Sequence, residues 1–192
     1  GKKFEPTTYT QVKEKVYQLG AGLQALGVKK GDSMALLSEG RNLWIVGELA
    51  MFYAGAMNVP LSIKLEESND LLFRLIHGDV KFIMVSGTQL KKVRLIKDQL
   101  PEVQKVIVFD EQAQYEEGEI FIGDVMKMGK EFLASHTMEE FLQVGQSLQN
   151  DDIATITYTS GTTADPKGVV LTHRNYTSNV EQALTLVDID QT

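Results

Sequence analysis

The chain has 192 residues, 43% hydrophobic and 23% charged, the balance of a soluble globular protein of one domain or slightly more. A formal charge of −7 lacks the basic footprint that nucleic acid or an anionic membrane surface requires, so an anionic ligand should be small and held locally. The absence of cysteine excludes disulfides, thiol nucleophiles and thiolate metal sites and fits a reducing cytosol. No apolar run approaches the ~18 to 20 residues that span a bilayer. The opening Gly1-Lys2-Lys3 carries neither a start methionine nor a signal peptide, so either residues have been removed or the chain is expected to be cut from something longer.

Thr8 and Gln11 have the spacing of a capping box, and Val12, Val16, Leu19, Leu23 and Leu26 then recur on one helical face until Gly27 stops it. Met34-Ala35-Leu36-Leu37 reads as a buried strand after the Gly31-Asp32 turn. Asn42 to Ala54 is a helix apolar nearly all round, the pattern of one sandwiched between layers. Gly55 ends it, and Met57 to Pro60 is a short strand whose proline confines it to an end or an edge. A helix over Glu66–His77 turns Leu71, Leu72, Leu75 and Ile76 inward and stops at Gly78. Phe82–Val85 is a strand, Gln89–Leu100 a helix ended by Pro101, and Val106–Phe109 a strand. Short alternating units of this kind predict an α/β fold, a mostly parallel sheet with helices on both faces.

Asp110 to Glu119 holds five acids and reads as a solvated loop. Asp124–Leu133 and Thr137–Leu148 are predicted helices, the second opened by a Thr137–Glu140 capping box. Ile153–Tyr158 and Val169–Leu171 are strands, and Tyr176–Val187 is a last helix.

Between those two strands lies Thr159-Ser160-Gly161-Thr162-Thr163-Ala164-Asp165-Pro166-Lys167-Gly168. Hydroxyls and glycine-freed backbone N–H groups around one lysine are the makings of a phosphate cradle. The spacing is not that of the Walker loop. The bland alternative is a Ser/Thr/Gly-rich hairpin turn with no ligand. His77, His136 and His173 show no metal-ligand spacing, His173 being a junction residue whose expected role is structural. Ser160 lacks the glycine two residues earlier that a nucleophile elbow needs, and no base is nominated for it. No dinucleotide fingerprint follows a strand, and Gly20-Ala21-Gly22 is too isolated to count as one.

Tyr158 through Gly168, continued by Val169-Val170-Leu171-Thr172-His173-Arg174-Asn175, resembles the AMP-binding signature of the acyl-adenylate-forming ligases. That superfamily includes acyl-CoA synthetases, luciferases and the adenylation domains of peptide synthetases. Leu26 to Asp32 and Trp44 through Gly55 to Pro60 resemble its amino-terminal region, and Ser38 to Trp44 is most similar to the long-chain fatty acyl-CoA synthetase branch. The resemblance implies one partial amino-terminal AMP-binding domain over 1–192. It divides into a leading helix and turn (1–32), strand–helix units (33–109), an acidic loop and helical insert (110–150) and the phosphate loop with its flanking strands and final helix (151–192). The carboxy-terminal domain and the catalytic groups would lie beyond Thr192.

Carried over by position, Thr159, Ser160, Gly161, Thr162, Thr163, Lys167 and Gly168 resemble the loop that holds the ATP β- and γ-phosphates, and Thr159 a position that helps hold Mg²⁺. The implied activity is AMP-forming fatty-acid–CoA ligation with ATP, Mg²⁺ and CoA, in the cytoplasm with room for peripheral membrane contact. The isolated segment is expected to be inactive and to expose apolar side chains where further layers would pack. Alternatives are an adenylating ligase for short-chain, aryl or amino acids, or a non-catalytic interaction protein on the same fold. Ala164 departs from the family's glycine at that position, a substitution that would cost about 1 kcal/mol or more at positive φ.

Overall fold

The computed structural model describes residues 6–66, 68–159 and 166–186. Its elements in order are α1 (Tyr9–Ala25), β1 (Ser33–Leu37), α2 (Asn42–Tyr53), β2 (Met57–Pro60), α3 (Ser68–His77), β3 (Val80–Val85), α4 (Leu90–Arg94), β4 (Lys105–Val108), β5 (Glu119–Phe121), α5 (Ile122–Ser135), α6 (Met138–Gln146), β6 (Ile153–Tyr158), β7 (Gly168–Thr172) and α7 (His173–Leu184). The strands form one seven-stranded sheet in the order β5-β4-β3-β1-β2-β6-β7. Every neighbouring pair is parallel except β6 with β7. The α/β expectation is therefore met.

Two cores cover the two faces, and strand alternation sorts side chains between them. Met34, Leu36, Phe82, Met84 and Ile107 point to the side covered by α1, α2 and α5. Ala35, Leu37, Ile83, Val85, Val106 and Val108 point to the side covered by α3 and α4. Because both faces are buried, the strands read in sequence as continuous apolar runs. Both expected capping boxes are present, Thr8 with Gln11 and Thr137 with Glu140. Gly27 and Gly55 take positive φ where their helices stop.

Several local readings change. Gln89 to Leu100 is not one helix: α4 spans Leu90–Arg94 and a 3₁₀ turn follows at Lys97–Gln99. The buried hydrophobics there, Leu90, Val93, Ile96 and Leu100, recur at steps of three, three and four, a spacing that a short α-helix followed by a 3₁₀ turn serves as well as one α-helix. On α3 the inward positions are Leu71, Arg74 and Leu75, while Ile76 is 60% exposed. Arg74 holds the position beside Leu75 by donating to the Asp70 carbonyl at 2.7 Å.

Asp110 to Glu119 is not simply solvated. Asp110 receives both guanidinium nitrogens of Arg41 at 2.8 and 2.9 Å, and Glu119 opens β5 with its carboxylate gripped by Arg94 at 2.7 and 2.8 Å. On α2, Val46, Gly47, Ala50 and Met51 are buried but Ile45 and Leu49 are exposed, so the helix is covered on less of its circumference than its composition predicts. Val169 and Val170 of β7 and Val180 and Leu184 of α7 are exposed too.

Candidate functional site

The two strands around the hydroxyl-rich loop form an antiparallel hairpin at one end of the sheet, their register closing at Tyr158 opposite Gly168. Above that pair the Thr159 amide donates to the Lys167 carbonyl at 3.1 Å, and the Thr159 hydroxyl approaches the same oxygen at 3.5 Å. The neck thus sets the backbones of Thr159 and Lys167 side by side, with both residues exposed. Because β6 runs parallel to β2, the neck opens at the carboxyl edge of the parallel strands. That is the edge where ligands of open α/β sheets bind.

Of the expected phosphate residues, the structure brings Thr159, Lys167 and Gly168 together. Ser160, Gly161, Thr162 and Thr163 lie outside the described residues, as do Ala164, Asp165 and Val187, the last residue of the predicted final helix. Gly168 has a steric role that composition alone did not reveal. A Cβ there would stand 2.9 Å from Ile156 Cγ2 and 3.5 Å from the Tyr158 ring across the hairpin.

Each face of β6 is tied to the body by its own polar contacts. On one, the Thr155 hydroxyl donates to the Asn58 carbonyl at 2.9 Å, and the Asn58 amide donates to Glu48 of α2 at 2.9 Å. The Tyr176 hydroxyl of α7 reaches the same Glu48 oxygen at 3.4 Å, and burial, with the Glu48 charge second, pushes that phenol's pKa up. On the other face, the Tyr158 hydroxyl lies 2.8 Å from His77 Nδ1, and the Arg74 guanidinium sits 5.8 Å from the Tyr158 ring centre. Burial pushes the Tyr158 phenol up, with Arg74 pulling the other way. Apart from Asn58 with Glu48, 10 positions away, these hydrogen bonds join residues 81 and more positions apart, so spacing in the sequence carried no signal of them.

The histidines do not converge on a metal. His136 stacks on Phe132 at 3.9 Å at the end of α5, and His77 stacks on Phe73 at 5.3 Å. His173 starts α7 edge-on to Phe52, and burial holds its pKa below the ordinary imidazole value, with Asp152 opposing. It lines a cleft of about 450 Å³ with Tyr17, Phe52 and Tyr53, to which Thr159, Lys167 and Gly168 do not contribute. Among the described residues no group of three or more His, Asp or Glu side chains could hold a metal ion, and no helix is long and apolar enough to cross a membrane.

Across residues 2–191 the chain matches the family described as AMP-binding enzyme. It is 29% identical over 195 residues to long-chain-fatty-acid–CoA ligase 5 of Rattus norvegicus, covering 94% of this chain and 27% of that protein. The inhibitor-bound N-terminal domain of FACL13 from Mycobacterium tuberculosis superposes with a TM-score of 0.71 at 25% identity, over 95% of this chain and 42% of that one. O-succinylbenzoate coenzyme A synthetase of Bacillus subtilis, solved with AMP, gives a TM-score of 0.70 at 25% identity, over 99% of this chain and 42% of that one. The chain spans about a quarter of the length of the curated relatives it matches. With all of its described strands and helices inside the matched span, the chain belongs to the AMP-binding enzyme family.

Proposed function

We propose that the protein to which this chain contributes is an AMP-forming long-chain fatty-acid–CoA ligase. The observation that carries the reading is the Thr159–Lys167 neck at the carboxyl edge of the sheet, in a chain whose curated relatives include long-chain ligases and synthetases. In this reaction a carboxylate oxygen attacks the ATP α-phosphorus, the bond to the bridging β-phosphate oxygen breaks, and pyrophosphate leaves acyl-AMP. The CoA sulfur then takes the acyl group, AMP departs, and the thiol proton passes to solvent.

Within this reading the Lys167 ammonium offsets negative charge on the departing pyrophosphate, and the loop hydroxyls and amides donate to its oxygens. Charge-assisted hydrogen bonds contribute roughly 1.5–3 kcal/mol each. Gly168 carries no donor side chain and lets the hairpin close beneath the loop. An exposed hydroxyl such as that of Thr159 fits Mg²⁺, which takes few protein oxygens and relies on substrate phosphates for the rest. The metal would neutralise phosphate charge when bound. A soluble nucleotide and a lipid-tailed acid together favour a cytoplasmic enzyme with peripheral membrane contact.

The test is carboxylate-dependent exchange of labelled pyrophosphate into ATP by the intact protein across a panel of acids. Preference for long-chain fatty acids is expected. A preference for aryl acids would favour the second reading, an adenylating ligase for another acid, which the likeness to the o-succinylbenzoate enzyme keeps in view. No exchange with any acid would leave the interaction-protein alternative.

A further inference from the structure

We infer that His77 is a positioning residue for Thr159 and Lys167, acting through the Tyr158 hydroxyl; this rests on the phosphate reading of the hairpin. The need for such a device follows from how little of the ladder reaches the loop. Among the described residues, the one registered pair between β2 and β6 is Asn58 with Thr155, three residues short of Tyr158. Beyond it the registered strand pairs among the described residues lie within the hairpin itself. Side chains must therefore set the angle at which its tip stands over the sheet.

Tyr158 is that side chain. It is the last residue of β6, it faces Gly168 across the hairpin, and Thr159 follows it directly. Its hydroxyl meets His77 Nδ1 at 2.8 Å, with the two rings edge to face at 5.7 Å. The seat for the hydroxyl is the last turn of α3. Gly78 approaches so closely that a Cβ would lie 3.4 Å from the Tyr158 oxygen. His77 is steadied by its stack on Phe73, and Arg74, beside the Tyr158 ring, is fixed to Asp70. A phenol held at its far end works as a strut, so a small shift at His77 swings the neck where Thr159 and Lys167 meet. Stability alone would be served by an apolar contact here, whereas a directional bond fixes one orientation.

Three variants of the intact protein test this, His77→Leu, His77→Asn and Lys167→Ala, in pyrophosphate exchange with MgATP and palmitate. Asparagine keeps a hydrogen-bonding atom near the place of Nδ1; leucine does not. His77→Leu is expected to raise KM for MgATP about three- to tenfold, the reach of one hydrogen bond, with KM for palmitate unchanged, and His77→Asn to restore it. A purely structural loss would lower the amount of active enzyme at constant KM.

An unchanged KM for MgATP in His77→Leu would overturn the inference, and so would an asparagine variant as impaired as the leucine one. If Lys167→Ala leaves MgATP kinetics untouched, the phosphate reading itself fails. The positioning claim then stands or falls on amide exchange at Thr159, which His77→Leu should speed and His77→Asn should not.

Discussion

Gly168 lies so close to Ile156 across the hairpin that a Cβ there would collide with Cγ2 at 2.9 Å, while meeting the Tyr158 ring at an ordinary contact distance of 3.5 Å. Gly168→Ala must therefore push β7 away from β6 and open the neck that joins Thr159 to Lys167. Overpacking of this kind costs about 1–3 kcal/mol. A melting temperature lowered by a few degrees and faster amide exchange at Thr159 are expected in the intact protein. A variant that melts and exchanges like the parent would show that the hairpin can accommodate a methyl group there.

The same logic applies more severely where α1 crosses α5. A Cβ on Gly22 would overlap the Val125 carbonyl, and one on Gly129 would overlap the carbonyl of Gln18. Inside a helix, glycine to alanine ordinarily gains about 1 kcal/mol from propensity. Here backbone contact reverses the sign, and Gly22→Ala and Gly129→Ala should each destabilise by about 2 kcal/mol. Denaturation midpoints above that of the parent would contradict the packing described.

Arg94 and Glu119 give a pH signature. Hydrogen bonds from Arg94 hold the Glu119 carboxyl below the usual carboxylate range, against burial that would raise it. A lowered folded-state pKa means the pair stabilises the fold at pH values above the unfolded glutamate pKa, about 4.3, and loses that stabilisation as pH falls through the folded value. With the Glu119 side chain 1% exposed and Arg94 30% exposed, Arg94→Leu should cost about 2 kcal/mol at neutral pH. That cost should shrink on acidification, as protonated Glu119 no longer needs a counter-charge. A penalty independent of pH between 7 and 3 would point to lost packing instead.

Much of this fold was legible because its determinants are local. The capping boxes at Thr8 and Thr137 announce themselves within four residues, and the doubly buried β1 and β3 are apolar runs by necessity. The readings that changed depend on distant partners. Glu119 becomes a strand residue because Arg94, 25 positions away, neutralises it, and Arg74 takes an inward place that the apolar pattern gave to Ile76. At the candidate site the motif named Thr159, Lys167 and Gly168, but nothing local tied Tyr158 to His77. Gly22, set aside as isolated, proved to be a packing residue of the α1–α5 crossing.

The central claim is that Lys167 stands at a phosphate site serving acyl adenylation. Its most direct test is palmitate-dependent exchange of labelled pyrophosphate into ATP by the intact protein and by Lys167→Ala. Loss of one charge-assisted contact to the departing group predicts exchange slowed about tenfold to a hundredfold at saturating palmitate. Exchange at the parental rate in Lys167→Ala would contradict the assignment of this hairpin to phosphate.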